Sequence, residues 1–227
     1  MELLRRHGLV RLTVAGWRQA IEQHDDVLVR QSLVHWSSRD WPAVVTTQGR
    51  GGVHGAAVAL GVATPPAWGL RRIPLRVAGT ELRRDVDEFP LWSTCADTLA
   101  LPERARAVLG NAFAMLGGTA RVYGSFGWQQ LTGLAYVRPG SDLDLLLEPV
   151  DAVHADRLCA ALSAANIAEP RLDGELCFDD GSAVAWREWA AWRAGRAAGI
   201  VVKRLDGPLL VSDMASFGTA PASLATA

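Results

Sequence analysis

Asp142 and Asp144 stand at the head of the apolar run SDLDLLLE, a costly place for two carboxylates unless they have work to do. In an extended strand the side chains at 142 and 144 point to one face, with Leu143 and Leu145 on the other. Two neighbouring carboxylates repel unless something positive lies between them. Magnesium, or manganese with the same taste for hard oxygen ligands, meets that need and also accepts phosphate oxygens. Paired metals of this kind support in-line displacement at phosphorus. A solvated strand end with Ser141-Asp142 as a turn is the alternative reading of the motif alone.

Gly124 and Ser125 lie upstream, where TARVYGS reads as a strand running into a turn and then a helix. A helix starting there presents backbone N–H groups and a hydroxyl, a natural phosphate cradle; a plain serine cap after a glycine turn is the simpler reading. A third carboxylate is expected from a neighbouring strand. Asp173 and Glu175 in RLDGELCF share one face at period two, with Asp173 preferred because it starts its strand as Asp142 does, and Glu175 as the substitute. Asp179 and Asp180 read as turn residues beside Gly181. Arg71, Arg72 and Arg76 could clamp phosphates or be ordinary surface arginines, and Lys203, the chain's single lysine, is a weaker candidate. Trp128 could wall a substrate pocket, for example by stacking on adenine, or could pack; Trp186, Trp189 and Trp192 read as packing residues. The five histidines show no metal-ligand spacing.

The elements that must position these groups fall into two textures. Residues 1–97 read as a small β-containing domain with irregular connections, its β-prone runs PAVVTT, GAAVALGV and RIPLRVAG punctuated by GRGG, TPPAWG and AGT. Residues 98–227 read as helix, strand, turn, helix, strand, helix, hairpin, helix and strand. The first helix follows Pro102 and stops at Gly117-Gly118, the hairpin turns at Asp180-Gly181, and GIVVKRLDGPLLVS forms the last strand. That order predicts an α+β or mixed α/β chain whose second half packs helices on a mixed sheet. The tail PASLATA reads as loosely held.

Bulk properties set limits on function. The 227 residues carry a formal net charge of -1, so no overall basic field marks a nucleic-acid binder. Cys95, Cys159 and Cys177 are too scattered for a disulfide framework or a zinc site, which suits a reduced cytoplasmic protein. No stretch approaches the roughly 18 apolar residues of a membrane span, and the N-terminus lacks a signal pattern.

The GS turn followed by DLDLL resembles the nucleotidyltransferase superfamily typified by DNA polymerase β. In common members GS lies nearer the paired acids; here the intervening segment FGWQQLTGLAYVRPGS is longer. With RLDGEL and AVAWREWA downstream, the stretch is similar to one branch, the holo-acyl-carrier-protein synthases of malonate decarboxylase, also called phosphoribosyl-dephospho-CoA transferases. The likeness is close over most of the second half and looser over the first, through WPAVV and the arginine-rich run after GVATPP. The resemblance implies transfer of the phosphoribosyl-dephospho-CoA group from 2′-(5″-triphosphoribosyl)-3′-dephospho-CoA to a serine of the apo acyl carrier subunit, with release of pyrophosphate. It also implies that Asp142 and Asp144 are the catalytic pair and that Gly124 and Ser125 are the GS turn. Asp173 rests on the reading of the residues alone. Transfer of a nucleotide to a small molecule, or nucleotide binding without catalysis, are the rival functions.

Overall fold

The period-two alternation of RIPLRVA puts Ile73, Leu75 and Val77 on one side and Arg72, Pro74 and Arg76 on the other, the pattern of a half-buried strand. In the computed structural model, which describes residues 4–49, 57–215 and 217, this segment is the edge of an antiparallel five-stranded sheet. Its strands are β1 (Leu9–Leu12), β2 (Ala43–Val45), β3 (Ala57–Ala63), β4 (Arg72–Ala78) and β5 (Leu82–Asp87), in the order β4-β3-β2-β1-β5. Most of the GRGG punctuation and the whole of the PASLATA tail lie outside the described residues.

Two helices, α1 (Val14–Glu22) and α2 (Val27–Ser38), complete this half, although the composition suggested only strands and irregular connections. Both are marked by side-chain caps: Thr13 accepts from the Gly16 N–H, and Asp26 from the N–H groups of Leu28 and Val29. Trp17, Ala20, Leu33 and Trp36 drive them onto the sheet, where they share a core with Leu9, Leu60 and Leu75. Trp36 is fully enclosed and donates its indole N–H to the Pro42 carbonyl at 3.0 Å. β-Branched and aromatic residues are mediocre helix formers, so it is this burial that makes the segments helical.

The chain crosses to a second sheet between Asp87 and Leu91, where Leu91 already bridges to Arg121. The composition changes later, near residue 97, because Trp92 and Cys95 of the short helix α3 (Trp92–Cys95) already belong to the second core. There follow α4 (Glu103–Leu116), β6 (Thr119–Tyr123), α5 (Gly124–Thr132), β7 (Leu143–Glu148), α6 (Ala152–Ala164), β8 (Leu172–Cys177), β9 (Ala183–Ala185), α7 (Trp186–Arg193), β10 (Ile200–Lys203) and β11 (Pro208–Val211). The strands lie in the order β11-β10-β9-β8-β7-β6, and only β7 and β8, joined through α6, run parallel. The chain is therefore α+β with one antiparallel and one mixed sheet. GIVVKRLDGPLLVS is two strands rather than one, because Asp206-Gly207 turns the chain and Arg204 and Gly207 exchange backbone hydrogen bonds.

The mixed sheet has two unlike faces. Val122, Leu143, Leu145, Leu147 and Leu176 point into the core with α4, α6 and α7, each fully enclosed; burying one such side chain contributes about 1.5–3 kcal/mol. The opposite face meets the N-terminal half. Leu146 belongs to the N-terminal core, as do Trp128 of α5 and Tyr136 in the loop after it. Trp128 packs edge-to-face on Trp36 and Phe89 (ring centroids 5.4 and 5.2 Å), and the Tyr136 hydroxyl donates to the Ala63 carbonyl at 2.7 Å.

Candidate active site

The site forms where three strands begin or end together. Tyr123 is the register partner of Asp144, and Asp144 that of Asp173, so the last residue of β6 and the acidic residues of β7 and β8 lie in one row across the sheet. The parallel pairing brings the N-terminal ends of β7 and β8 to the same edge, which puts Asp142 and Arg171, each one residue ahead of its strand, side by side. Gly174 permits the close approach of these strands: it has φ 142°, and a Cβ there would fall 2.0 Å from the Leu145 carbonyl oxygen.

Gly124 joins the GS turn to the acids by direct contact. Its φ is 61°, and a Cβ would fall 1.9 Å from Asp144 Oδ2, so a side chain would collide with the carboxylate as well as strain the backbone. The helix α5 starts at this glycine with no side-chain cap. Its start lies beside Asp144, and its first-turn N–H groups, with the half-buried Ser125, offer donors to an anion.

Three environments divide the carboxylates. Asp144 is pushed up to about 7, by burial first and then by the charges of Asp173 and Asp142, with Arg171 and Arg72 opposing. Asp142 is held below the usual carboxylate range, chiefly by its hydrogen bonds to Arg171: Arg171 Nε donates to Oδ1 at 2.9 Å and Nη2 donates to Oδ2. Asp142 thus turns to Arg171, not being held by the strand alternation that orients Asp144. Asp173 accepts from the Gly174 N–H at 2.8 Å and lies 3.5 Å from Arg171 Nη2. Among the described residues no group of three or more His, Cys, Asp or Glu side chains is gathered to hold a metal ion. Asp144 and Asp173 are nonetheless register partners on adjacent strands, Arg171 links Asp142 to Asp173, and carboxylate oxygens are the donor type that magnesium takes.

The remaining predicted residues separate. Glu175 shares the face of Asp173 but is enclosed, accepting from Lys203 Nζ at 2.6 Å and bonded to His7 Nε2 at 2.8 Å, with Arg6 at 3.9 Å. Burial alone would raise its pKa; His7 and Lys203 outweigh it and bring the value down to about 2. Glu175 is therefore spent on an ion network, and Lys203 with it, which removes one from the metal set and the other from the phosphate candidates. Trp128 is enclosed in the core between the two halves, edge-on to Trp36 and Phe89, so its indole has no open face for adenine. Arg71 is paired with Asp26 at the start of α2. Arg72, at the start of β4, is near enough to act on Asp144. Arg76 is four residues further along that strand, about 13 Å by strand rise, and does not join the site.

Arg171 and Arg187 enter the site, and His7 the neighbouring Glu175 network, without having been singled out from the sequence. Arg187 acts on Asp142, donates to the Leu172 carbonyl at 2.9 Å and stacks over the Trp186 ring at 4.2 Å. His7, at φ 61°, meets Tyr123 edge-on at 5.0 Å while bonding Glu175. One signal for Arg171 was readable: RLDGEL repeats the spacing of DLDLLL with the first charge reversed, as two adjacent parallel strands require if their leading residues are to pair.

Carboxylates in register at a parallel strand mouth thus lie beside an uncapped helix start. Residues 91–214 match the family model for the phosphoribosyl-dephospho-CoA transferase MdcG C-terminal domain, and residues 5–86 match that for its N-terminal domain. A phosphoribosyl-dephospho-CoA transferase of Bradyrhizobium diazoefficiens is 35% identical over 221 residues, covering 91% of this chain and 89% of the relative. One from Xanthomonas campestris is 34% identical over 213 residues (93% and 96%), and one from Pseudomonas aeruginosa 30% over 184 residues (76% and 79%). The chain belongs to the MdcG family of phosphoribosyl-dephospho-CoA transferases. No solved structure matches it. Among the described residues, no helix is long and apolar enough to cross a membrane.

Proposed function

We propose that this transferase moves the phosphoribosyl-dephospho-CoA group from 2′-(5″-triphosphoribosyl)-3′-dephospho-CoA to a serine of the apo acyl carrier subunit of a malonate decarboxylase, releasing pyrophosphate in the cytoplasm. The observation that supports this most is the contact between Gly124 and Asp144, with Asp173 in register beyond. It makes the phosphate cradle and the acids one site. Asp142, Asp144 and Asp173 would hold magnesium or manganese, which when bound supplies charge neutralisation for the triphosphate. The N–H groups at the start of α5 and the Ser125 hydroxyl bind phosphate oxygens, and Arg72 adds charge from the N-terminal half. The serine oxygen forms its bond to the α-phosphorus as the bond to the pyrophosphate oxygen breaks. Asp173, open at the strand mouth, receives the serine proton. Such transfers depend on positioning and charge more than on covalent catalysis.

Incubating purified apo carrier subunit with the triphosphoribosyl donor, magnesium and enzyme should add the mass of the prosthetic group to the carrier and release pyrophosphate. Asp142→Ala and Asp144→Ala should each abolish the gain while circular dichroism stays that of the parent. Transfer of an ordinary nucleotide to a small acceptor, with the carrier unchanged, would overturn the assignment.

A further inference from the structure

Arg171 holds a position that two other parties to the reaction need. It and Asp142 each stand one residue ahead of a strand, and the Leu143 N–H donates to the Arg171 carbonyl at 2.9 Å, so the backbone fixes their bases together. The guanidinium engages both oxygens of Asp142 and reaches Asp173 Oδ2 at 3.5 Å. One cation thus serves two of the three acids. Arg187 is not free to take its place, since its guanidinium is held by the Leu172 carbonyl and the Trp186 ring. The bidentate guanidinium takes up one lone pair on each Asp142 oxygen and balances its charge, so a divalent ion approaching that carboxylate competes with it. The Arg171 side chain is 61% exposed, so it has open solvent to swing into once those bonds are given up.

We propose that Arg171 is a displaceable counter-cation, a deduction that rests on the three carboxylates being the metal ligands. Before loading it neutralises Asp142 and holds it beside Asp173. On loading it gives up both carboxylates and turns its planar fork to the terminal phosphates of the donor. There it is a ligand of the departing pyrophosphate: as the α-phosphorus leaves the bridging oxygen, the electron pair stays on pyrophosphate, and Arg171 hydrogen-bonds that charge while keeping its own protons. Arg171 is first a positioning residue and then a substrate contact.

Manganese binding to the substrate-free full chain, followed by electron paramagnetic resonance, tests the first role, and calorimetry with pyrophosphate tests the second. Arg171→Gln should bind manganese about threefold to tenfold more tightly than the parent, because the ion no longer competes with a resident charge. The same variant should bind pyrophosphate roughly tenfold more weakly, with Arg171→Lys between the two on both measures. A part that only shaped the fold would not tighten metal binding when lost. Equal or weaker manganese affinity in Arg171→Gln, with Asp144→Asn weaker still, overturns the proposal and leaves the metal site standing. Unchanged pyrophosphate affinity overturns the second role. No manganese bound by parent or variants, with or without pyrophosphate, overturns the metal site and the proposal together.

Discussion

Asp173 and Glu175 sit on one face of one strand, separated only by Gly174, and live in opposite environments. Asp173 opens to solvent at the strand mouth beside Arg171, with its side chain 40% exposed. Glu175 lies deeper, 7% exposed, under the N-terminal segment and between His7 and Lys203. What the N-terminal half covers is paired from both halves, by Arg6 and by Lys203 of β10, and is hydrogen-bonded to His7. What it leaves bare stays open to solvent. The two halves thus divide a single acidic face into a covered, paired part and an open part.

The division can be broken most severely from the covered side. Glu175→Ala leaves His7 and Lys203 without their shared partner, and removal of one member of a buried ion set costs about 3–5 kcal/mol. In a chain of this size that lowers Tm by roughly 10 °C, which calorimetry or urea titration will show. Asp173→Ala should shift stability by less than about 1 kcal/mol yet lose transfer. Matching losses of stability in the two variants would erase the distinction.

Acid should act on the covered side in the same sense. The folded pKa of Glu175, about 2, lies below its ordinary 4.5. The stability it contributes is thus fully present above pH 4.5 and is lost as pH falls from there toward 2. That loss is on the order of 3 kcal/mol, and acid titrations of the parent and Glu175→Gln should converge across this window.

The open side is probed by Gly124→Ala. Its methyl must displace Asp144 by more than 1 Å, a misplacement that costs about 100-fold in rate, and intact-mass kinetics on the carrier will measure it. The smallest effect belongs to the arginines. Arg71→Ala breaks an exposed pair with Asp26, worth up to about 1 kcal/mol, and should leave transfer unchanged. Arg72→Ala should raise the donor KM. Equal effects of the two on transfer would show that the charge of Arg72 beside Asp144 has no part in the reaction.

Much of this was legible in local patterns. DLDLLL announces a strand with an acidic head, VYGS a strand entering a helix, and DDGS a hairpin, because each is encoded within a few neighbouring residues. The pairing of Asp142 with Arg171 spans 29 residues and that of His7 with Glu175 spans 168. Period two assigns Asp173 and Glu175 to one face but says nothing about what covers that face, so it could not tell a ligand from an ion-pair partner. Trp128 follows the same logic: its place beside the GS turn suggested substrate, and only the packing of Trp36 and Phe89 from the other half shows that the core claims it. The helices α1 and α2 were hidden for a related reason, since distant burial, not local propensity, decides their form.

Leu146 has a consequence for engineering. It lies two residues beyond Asp144 on the same strand, yet its side chain belongs to the other half's core, as do those of Trp128 and Tyr136. A chimera joining the first ninety or so positions of one relative to the remainder of another would therefore face a shape-matching problem at these three side chains. Any mismatch there would pass along β7 directly to the acid, so exchange partners should be chosen for complementarity at Leu146 before overall identity.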